Sequence, residues 1–167
     1  MGPMGSGKTT VGQVLAARLQ VPLRDTDSDV EAVAGKPISD IFVDDGEAAF
    51  RQLERAAVRA ALRALAGHDA VLSLGGGAVL DRENQADLVE AARHGAGVVF
   101  LDVGIADAAR RIGLNVSRPL LIGNPRARWL ALMAERRSTY ERLATLSVLT
   151  DGLTPEQVAD RVLEGLS

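Results

Sequence analysis

Short apolar segments alternate along the chain with longer segments in which apolar residues recur every three or four positions. The short segments predict buried β-strands because they are almost continuously apolar; they are 21–24, 70–74, 98–103 and 146–149. The longer segments predict helices at 8–19, 46–66, 86–93, 105–111, 125–144 and 155–166. This alternation predicts an α/β fold in three layers, in which helices cover both faces of a parallel sheet.

A phosphate-binding motif, G-x-x-x-x-G-K-S/T, runs from Gly2 to Thr9. Its glycines allow backbone N–H groups to turn toward phosphate oxygens, Lys8 adds a positive charge, and the Thr9 hydroxyl suits Mg²⁺. The amphipathic segment 8–19 follows at once, so a helix would direct its positive N-terminus toward the same phosphates. A chance match in a glycine-rich tail is the alternative, and the immediate helix argues against it.

Only Met1 precedes this loop in the sequence, although a P-loop normally follows a buried strand. We therefore expect that the central first strand of the sheet is missing from the sequence and that the natural chain begins several apolar residues earlier. A chain that starts at Met1 would be destabilised, because two neighbouring strands would lose their backbone partners.

Candidate ligand-binding residues follow two of the predicted strands, where parallel α/β sheets bind their ligands. Asp25 and Asp27 come after the first, and carboxylates two positions apart at a strand end would point to the same side. One suits Mg²⁺ and the other suits removal of a proton from a hydroxyl, although an acidic turn is the alternative. The glycines at 75–77 come after the second strand and would let backbone N–H groups approach a ligand, unless they form a flexible turn.

Three arginines could hold anionic groups. Arg51, on the predicted helix 46–66, could bind a carboxylate with Glu54 orienting it, or both could belong to a surface ladder of ion pairs. Arg118 lies in a stretch bracketed by glycine and proline that suits a lid reaching the phosphates. Arg136 lies on the predicted helix 125–144, where a solvated basic face is the alternative.

Two aromatic side chains on the same predicted helix, Trp129 and Tyr140, are expected to pack in the core.

Composition indicates one soluble domain spanning 1–167, with 47% apolar and 25% charged residues. No apolar run is long enough to span a membrane, and the absence of cysteine excludes disulfides and a thiol nucleophile. A net charge of −3 with 3% aromatic residues argues against a nucleic-acid partner. We expect a cytoplasmic protein without membrane partners, in which clustered cations hold any anionic ligand.

Taken together, these segments resemble the shikimate kinases, from the P-loop through Arg136. The most specific parts are the Asp-Thr-Asp sequence at 25–27, Phe50-Arg51 with Glu54, the segment 74–79, and Arg-Pro-Leu-Leu at 118–121. The resemblance implies a five-stranded parallel sheet of the nucleoside monophosphate kinase type and a monomer. It also implies transfer of the ATP γ-phosphate to the 3-hydroxyl of shikimate, a step in aromatic amino-acid biosynthesis.

For the nucleotide, the resemblance implies that Thr9 binds Mg²⁺ with support from Asp25. Arg118, on a lid at about 112–125, would reach the phosphates and act in catalysis together with Lys8. The residues that it assigns to ATP are Gly5, Ser6, Gly7, Lys8, Thr9 and Thr10. Family members usually carry a basic residue beside the adenine after the last strand, and the segment 151–155 has none, so no contact to the base is assigned.

For the acceptor, the resemblance implies a substrate-binding segment at about 28–60. Asp27 would hold the shikimate hydroxyls and act as the base. Arg51 and Arg136 would bind the carboxylate, and the backbone at Gly76 would contact the ring hydroxyls.

Three alternatives remain. One is another small-molecule P-loop kinase, such as a gluconate kinase. A second is a nucleotide-binding switch, although the Asn/Thr-Lys-x-Asp element of guanine-binding switches does not occur. The third is an N-terminally truncated chain with impaired activity.

Overall fold

The computed structural model describes residues 1–65, 67–112 and 124–167. Helices and strands alternate along most of it. Its helices are α1 (Lys8–Leu19), α2 (Thr26–Ala34), α3 (Ile38–Asp44), α4 (Gly46–Leu65), α5 (Arg82–Arg93), α6 (Ile105–Ile112), α7 (Pro125–Leu143) and α8 (Pro155–Leu166). The strands are β1 (Leu23–Asp25), β2 (Val71–Ser73), β3 (Val99–Asp102) and β4 (Leu146–Leu149), and a short 3₁₀ turn spans Ala78–Leu80.

The strands pair in parallel, as predicted, but among the described residues they form two separate pairs rather than one sheet. β1 pairs with β2, and β3 pairs with β4. Met1 lies in extended register beside β3, because its amino group donates to the Val99 carbonyl at 2.8 Å and its carbonyl accepts from the Leu101 N–H at 2.9 Å. The P-loop therefore starts beside the end of β3.

Two helices were not predicted, and a third begins earlier than expected. α2 and α3 are short and each buries few side chains, so their apolar periodicity in the sequence is weak. α5 begins at Arg82 and not at residue 86, because the Asp81 carboxylate accepts from the backbone N–H groups of Glu83 and Asn84. Side-chain caps therefore mark the starts of α2 and α5, whereas α3 begins after Pro37 without one.

Three apolar clusters hold the elements together. The largest includes Phe100 of β3 and Tyr140 of α7, whose rings stack with centroids 5.0 Å apart. A second joins α1 and α8 to the β3–β4 pair. The third contains Val30, Ile41 and Phe50 and belongs to α2, α3 and α4. The segment predicted to bind substrate therefore has a small core of its own.

Within the described ranges, no helix is long and apolar enough to cross a membrane.

Candidate active site

The P-loop turns sharply before α1. Gly5 and Gly7 have φ angles of 82° and 88°, which favour glycine, and a Cβ on Gly5 would lie 2.9 Å from the Ala108 Cα. The Lys8 ammonium donates to the Pro3 carbonyl at 3.0 Å. Ser6 is fully buried, and its hydroxyl has no hydrogen-bond partner within the described residues. The loop is held by glycine conformation and close packing.

Asp25 links the P-loop helix to the next helix. One of its carboxylate oxygens accepts from the Thr9 hydroxyl at 2.9 Å, and the other accepts from the Asp27 N–H at 3.0 Å. Asp25 ends β1 and caps α2, whereas Asp27 lies in the first turn of α2. The expectation that both carboxylates share one side of a strand was therefore wrong, because a helix starts between them.

The glycine loop at 75–77 lies against both the acidic residues and the P-loop. The Gly75 N–H donates to the hydroxyl of the fully buried Thr26 at 2.9 Å. A Cβ on Gly75 would lie 2.5 Å from an Asp27 carboxylate oxygen and 2.8 Å from one of Glu54. A Cβ on Gly76 would lie 3.3 Å from the Gly2 carbonyl. Glycine is thus needed for the close approach of these carboxylates at Gly75.

Arg51 pairs with one buried and one exposed carboxylate. Its guanidinium donates to Glu54 at 2.6 Å and to Glu47 at 3.0 Å. Glu54 is only 3% exposed, so this pair is not part of the surface ladder considered above. Burial raises the pKa of Glu54, and the charge of Arg51 opposes that rise. A Cβ on Gly77 would overlap the Arg51 guanidinium, so the glycine loop also packs on Arg51.

Arg136 is buried rather than part of a solvated face, since it is 4% exposed. Its Nη1 donates to the Gly76 carbonyl at 3.2 Å, and the Tyr140 hydroxyl donates to the same carbonyl. Burial raises the pKa of Tyr140 to about 12, so this hydroxyl stays protonated and remains a donor. The Arg136 Nε is buried without a hydrogen-bond partner in the described part of the chain. A buried guanidinium with a spare donor suits an anionic ligand.

The loop after β4 is tied to α6 and to the P-loop. Arg111 donates to the Thr150 carbonyl at 2.5 Å and to the Gly5 carbonyl at 3.3 Å. Asp107 accepts from the Gly152 N–H at 2.6 Å, and this contact together with Arg110 lowers the pKa of Asp107. These contacts place the segment 151–155 near the P-loop.

Comparison with known proteins identifies the family. A family profile described as shikimate kinase matches residues 4–167. The chain belongs to the shikimate kinase family. It is 53% identical over 166 residues to the shikimate kinase of Thermobifida fusca, covering 99% of this chain and 92% of that protein. It is 57% identical over 162 residues to the shikimate kinase of Salinispora arenicola, covering 97% of this chain and 92% of that protein.

Solved shikimate kinases have the same fold. The shikimate kinase of Acinetobacter baumannii, solved in complex with shikimate, superposes with a TM-score of 0.87 at 30% identity, over 98% of this chain and 88% of that one. The shikimate kinase of Aquifex aeolicus gives a TM-score of 0.80 at 31% identity, over 99% of this chain and 93% of that one. The predicted P-loop kinase fold and the resemblance to shikimate kinases are therefore confirmed.

Most of the residues predicted for a shikimate kinase site lie together. Thr9 contacts Asp25, the Asp27 carboxylate lies at Gly75, and Arg136 bonds to Gly76. Thr10 is exposed in the first turn of α1. Arg118 and nearly all of the predicted lid at 112–125 lie outside the described residues. The individual roles of the site residues stay predictions.

Sequence reasoning missed three polar contacts made by residues in or near the site. No role was predicted for Thr26, yet its hydroxyl accepts from the Gly75 N–H. Trp129 and Tyr140 were expected only to pack; they are buried as expected, and each also donates to a loop carbonyl. None of the three contacts leaves a local pattern in the sequence, because each joins residues far apart along the chain.

Proposed function

We propose that this protein transfers the γ-phosphate of ATP to the 3-hydroxyl of shikimate, giving shikimate 3-phosphate for aromatic amino-acid biosynthesis. The observation that carries the proposal is the buried Arg136, whose Nε has no partner in the described part of the chain, beside a glycine loop that touches the P-loop. Such an arginine suits the carboxylate of a small acid held close to a nucleotide phosphate. Membership of the family supports shikimate as that acid.

On the nucleotide side, we propose that backbone N–H groups of Gly5, Ser6 and Gly7 bind the phosphates together with Lys8, Thr9 and Thr10. Phosphoryl transfer needs positioning and neutralisation of charge more than covalent help from the protein. Arg118 would add a further positive charge on the phosphates.

A Mg²⁺ site is proposed at Thr9 and Asp25. Their oxygens lie 2.9 Å apart, and a hydroxyl and a carboxylate are ligands that Mg²⁺ accepts. Within the described residues, no group of three or more His, Cys, Asp or Glu side chains could hold a metal, so phosphate and water oxygens would complete the coordination. When bound, Mg²⁺ would neutralise charge on the phosphates.

On the acceptor side, we propose that Asp27 accepts the proton of the reacting hydroxyl. Arg51 and Arg136 would bind the carboxylate of shikimate, with Glu54 holding Arg51 in place at 2.6 Å. The Gly76 backbone would contact the ring hydroxyls. Two arginines give local attraction for an anion in a chain whose net charge is −3.

A coupled assay of ADP release tests the activity with three acceptor conditions: shikimate, gluconate and no acceptor. We expect rapid, Mg²⁺-dependent ADP release with shikimate and only background release in the other two. Faster turnover with gluconate, or ADP release that does not depend on shikimate, would overturn the proposal. Adding EDTA and then excess Mg²⁺ tests the metal, because activity should disappear and return.

The proposal also includes a monomer in the cytoplasm without nucleic-acid or membrane partners. Light scattering coupled to size-exclusion chromatography would check the monomer by its mass, which should be that of one 17.6 kDa chain.

A further inference from the structure

Helix α7 carries two buried aromatic donors that contact two different loops. The Trp129 Nε1–H donates to the Met4 carbonyl at 2.9 Å, and the Tyr140 hydroxyl donates to the Gly76 carbonyl. Met4 belongs to the P-loop, and Gly76 belongs to the glycine loop at 75–77. Each aromatic residue is at most 4% exposed, and each of the two hydrogen bonds is partly buried.

The two donors lie on the same face of α7. They are eleven positions apart, which is about three helical turns and about 16 Å along the axis. The buried residues of α7 follow this face and are Trp129, Met133, Arg136, Tyr140 and Leu143. The stacking of Tyr140 on Phe100 holds the same face against β3. One rigid element therefore spans the proposed nucleotide and acceptor halves of the site.

A hydrogen bond to a carbonyl also orients the next N–H group, because the peptide unit is planar and the two groups point in opposite directions. Trp129 thus fixes the direction of the Gly5 N–H through Met4. Tyr140 shares the Gly76 carbonyl with Arg136 Nη1, and the two donors together fix the direction of the Gly77 N–H. Gly5 and Gly77 have no side chains to restrict them, so external donors have more influence on these loops than they would elsewhere.

We propose that Trp129 and Tyr140 are positioning residues, each for the loop that binds a different substrate. Trp129 orients the P-loop for ATP, and Tyr140 orients the glycine loop for the acceptor. The inference rests on the proposed function. If the two residues served only to pack α7 in the core, a different result would be expected. Their substitution would loosen the helix and weaken the binding of both substrates together.

The test compares two variants that each lose a donor and keep an aromatic ring, Trp129→Phe and Tyr140→Phe. One buried hydrogen bond corresponds to about a three- to tenfold change in an equilibrium constant. We expect Trp129→Phe to raise the KM for ATP by that factor and to leave the KM for shikimate within about twofold. Tyr140→Phe should do the reverse. Equal increases in both constants for either variant, or no increase in either, would overturn the proposal.

Leu130→Ala is the matched control on the same helix, because Leu130 is 46% exposed and contacts neither loop through a hydrogen bond. Its kinetic constants should match those of the unchanged protein. If Leu130→Ala instead raised one KM selectively, selective changes would not be evidence for a lost donor, and the proposal would fail.

A measurement without turnover covers the case in which Trp129→Phe does not fold. Trp129 is the single tryptophan of the chain, so its fluorescence reports on the P-loop. ADP should change the tryptophan emission of both the unchanged protein and Tyr140→Phe. The dissociation constants for ADP obtained from the two titrations should be equal. No response to ADP would overturn the role of Trp129. An ADP response combined with inactivity toward shikimate would instead overturn the proposed function and leave the nucleotide role standing.

Discussion

The two halves of the site are assembled in different ways. The nucleotide half is mostly one continuous stretch from Gly2 to Thr10, and its conformation depends on local glycine geometry. The acceptor half brings together Asp27 from α2, Arg51 from α4 and Arg136 from α7 around a loop after β2. The acceptor half contains two buried charged side chains, Glu54 and Arg136. Among the described residues of the P-loop, the only buried polar side chain is that of Ser6.

The two halves should therefore differ in their sensitivity to substitutions elsewhere in the chain. A local loop is defined largely by its own backbone dihedrals, so only a few distant residues affect its shape; for the P-loop these include Trp129 and Arg111. A cluster collected from several elements depends on each contact that holds those elements together. Substitutions in the acceptor half should therefore weaken the binding of shikimate and leave the binding of ATP nearly unchanged.

The largest effect is expected from Asp27→Asn. The amide cannot take the proton of the acceptor hydroxyl, so kcat should fall by about 10²- to 10⁴-fold. The KM for ATP should change little, because the P-loop contacts remain. Steady-state kinetics with each substrate varied in turn measures both effects. Asp29→Asn, on the same helix and paired with Arg24, is the matched control and should retain normal kcat. If Asp27→Asn kept more than about a tenth of the normal kcat, Asp27 would not be the base.

The next effect is expected from Arg136→Ala. It removes a charge-assisted contact to the carboxylate and should raise the KM for shikimate about 10- to 100-fold, with little change in the KM for ATP. Arg137→Ala is the neighbouring control, because Arg137 forms its fork with Asp102 instead. If Arg136→Ala raised the KM for ATP as much as the KM for shikimate, Arg136 would not be assigned to the carboxylate of shikimate. The separation of the two halves would then also be contradicted.

The same contrast explains how much the sequence could predict. The P-loop and α1 were predictable, since their chemistry lies in adjacent residues and α1 runs from Lys8 to Leu19 as expected. The burial of Arg136 was not, because the sequence around it is equally consistent with a solvated face. α2 was missed because its start depends on one side-chain cap at Asp25 and not on apolar periodicity. Long-range partners, such as Thr26 with Gly75, leave no local pattern.

A smaller effect is expected from Thr26→Val. The substitution keeps the shape of a fully buried side chain but leaves the Gly75 N–H without its acceptor. The free energy of unfolding should fall by about 1–3 kcal/mol, and the KM for shikimate should rise more than that for ATP. Urea denaturation and kinetics measure the two effects. Thr26→Ser keeps the hydroxyl and should restore most of both. If Thr26→Ser and Thr26→Val had the same stability and the same KM for shikimate, the Thr26 hydroxyl would not hold the glycine loop at 75–77.

The smallest effect is expected from Glu54→Gln, and it concerns pH. Burial raises the pKa of Glu54 above its ordinary value of 4.5, the charge of Arg51 opposes this, and Asp27 adds to the rise. The folded state therefore binds the proton more tightly than the unfolded state does. It follows that the free energy of unfolding decreases as the pH rises from about 4.5 to the raised pKa.

The neutral amide of Glu54→Gln cannot titrate, so the unchanged protein should lose stability relative to this variant across that interval. Urea denaturation at several values between about pH 4 and pH 7 measures the difference. Glu47→Gln is the control, because Glu47 also contacts Arg51 but is exposed. Its difference from the unchanged protein should be nearly constant with pH. If the difference in free energy of unfolding between the unchanged protein and Glu54→Gln were also constant with pH, the charge of Arg51 would fully offset the effect of burial on Glu54. The acceptor half would then be no more sensitive to protonation than the P-loop.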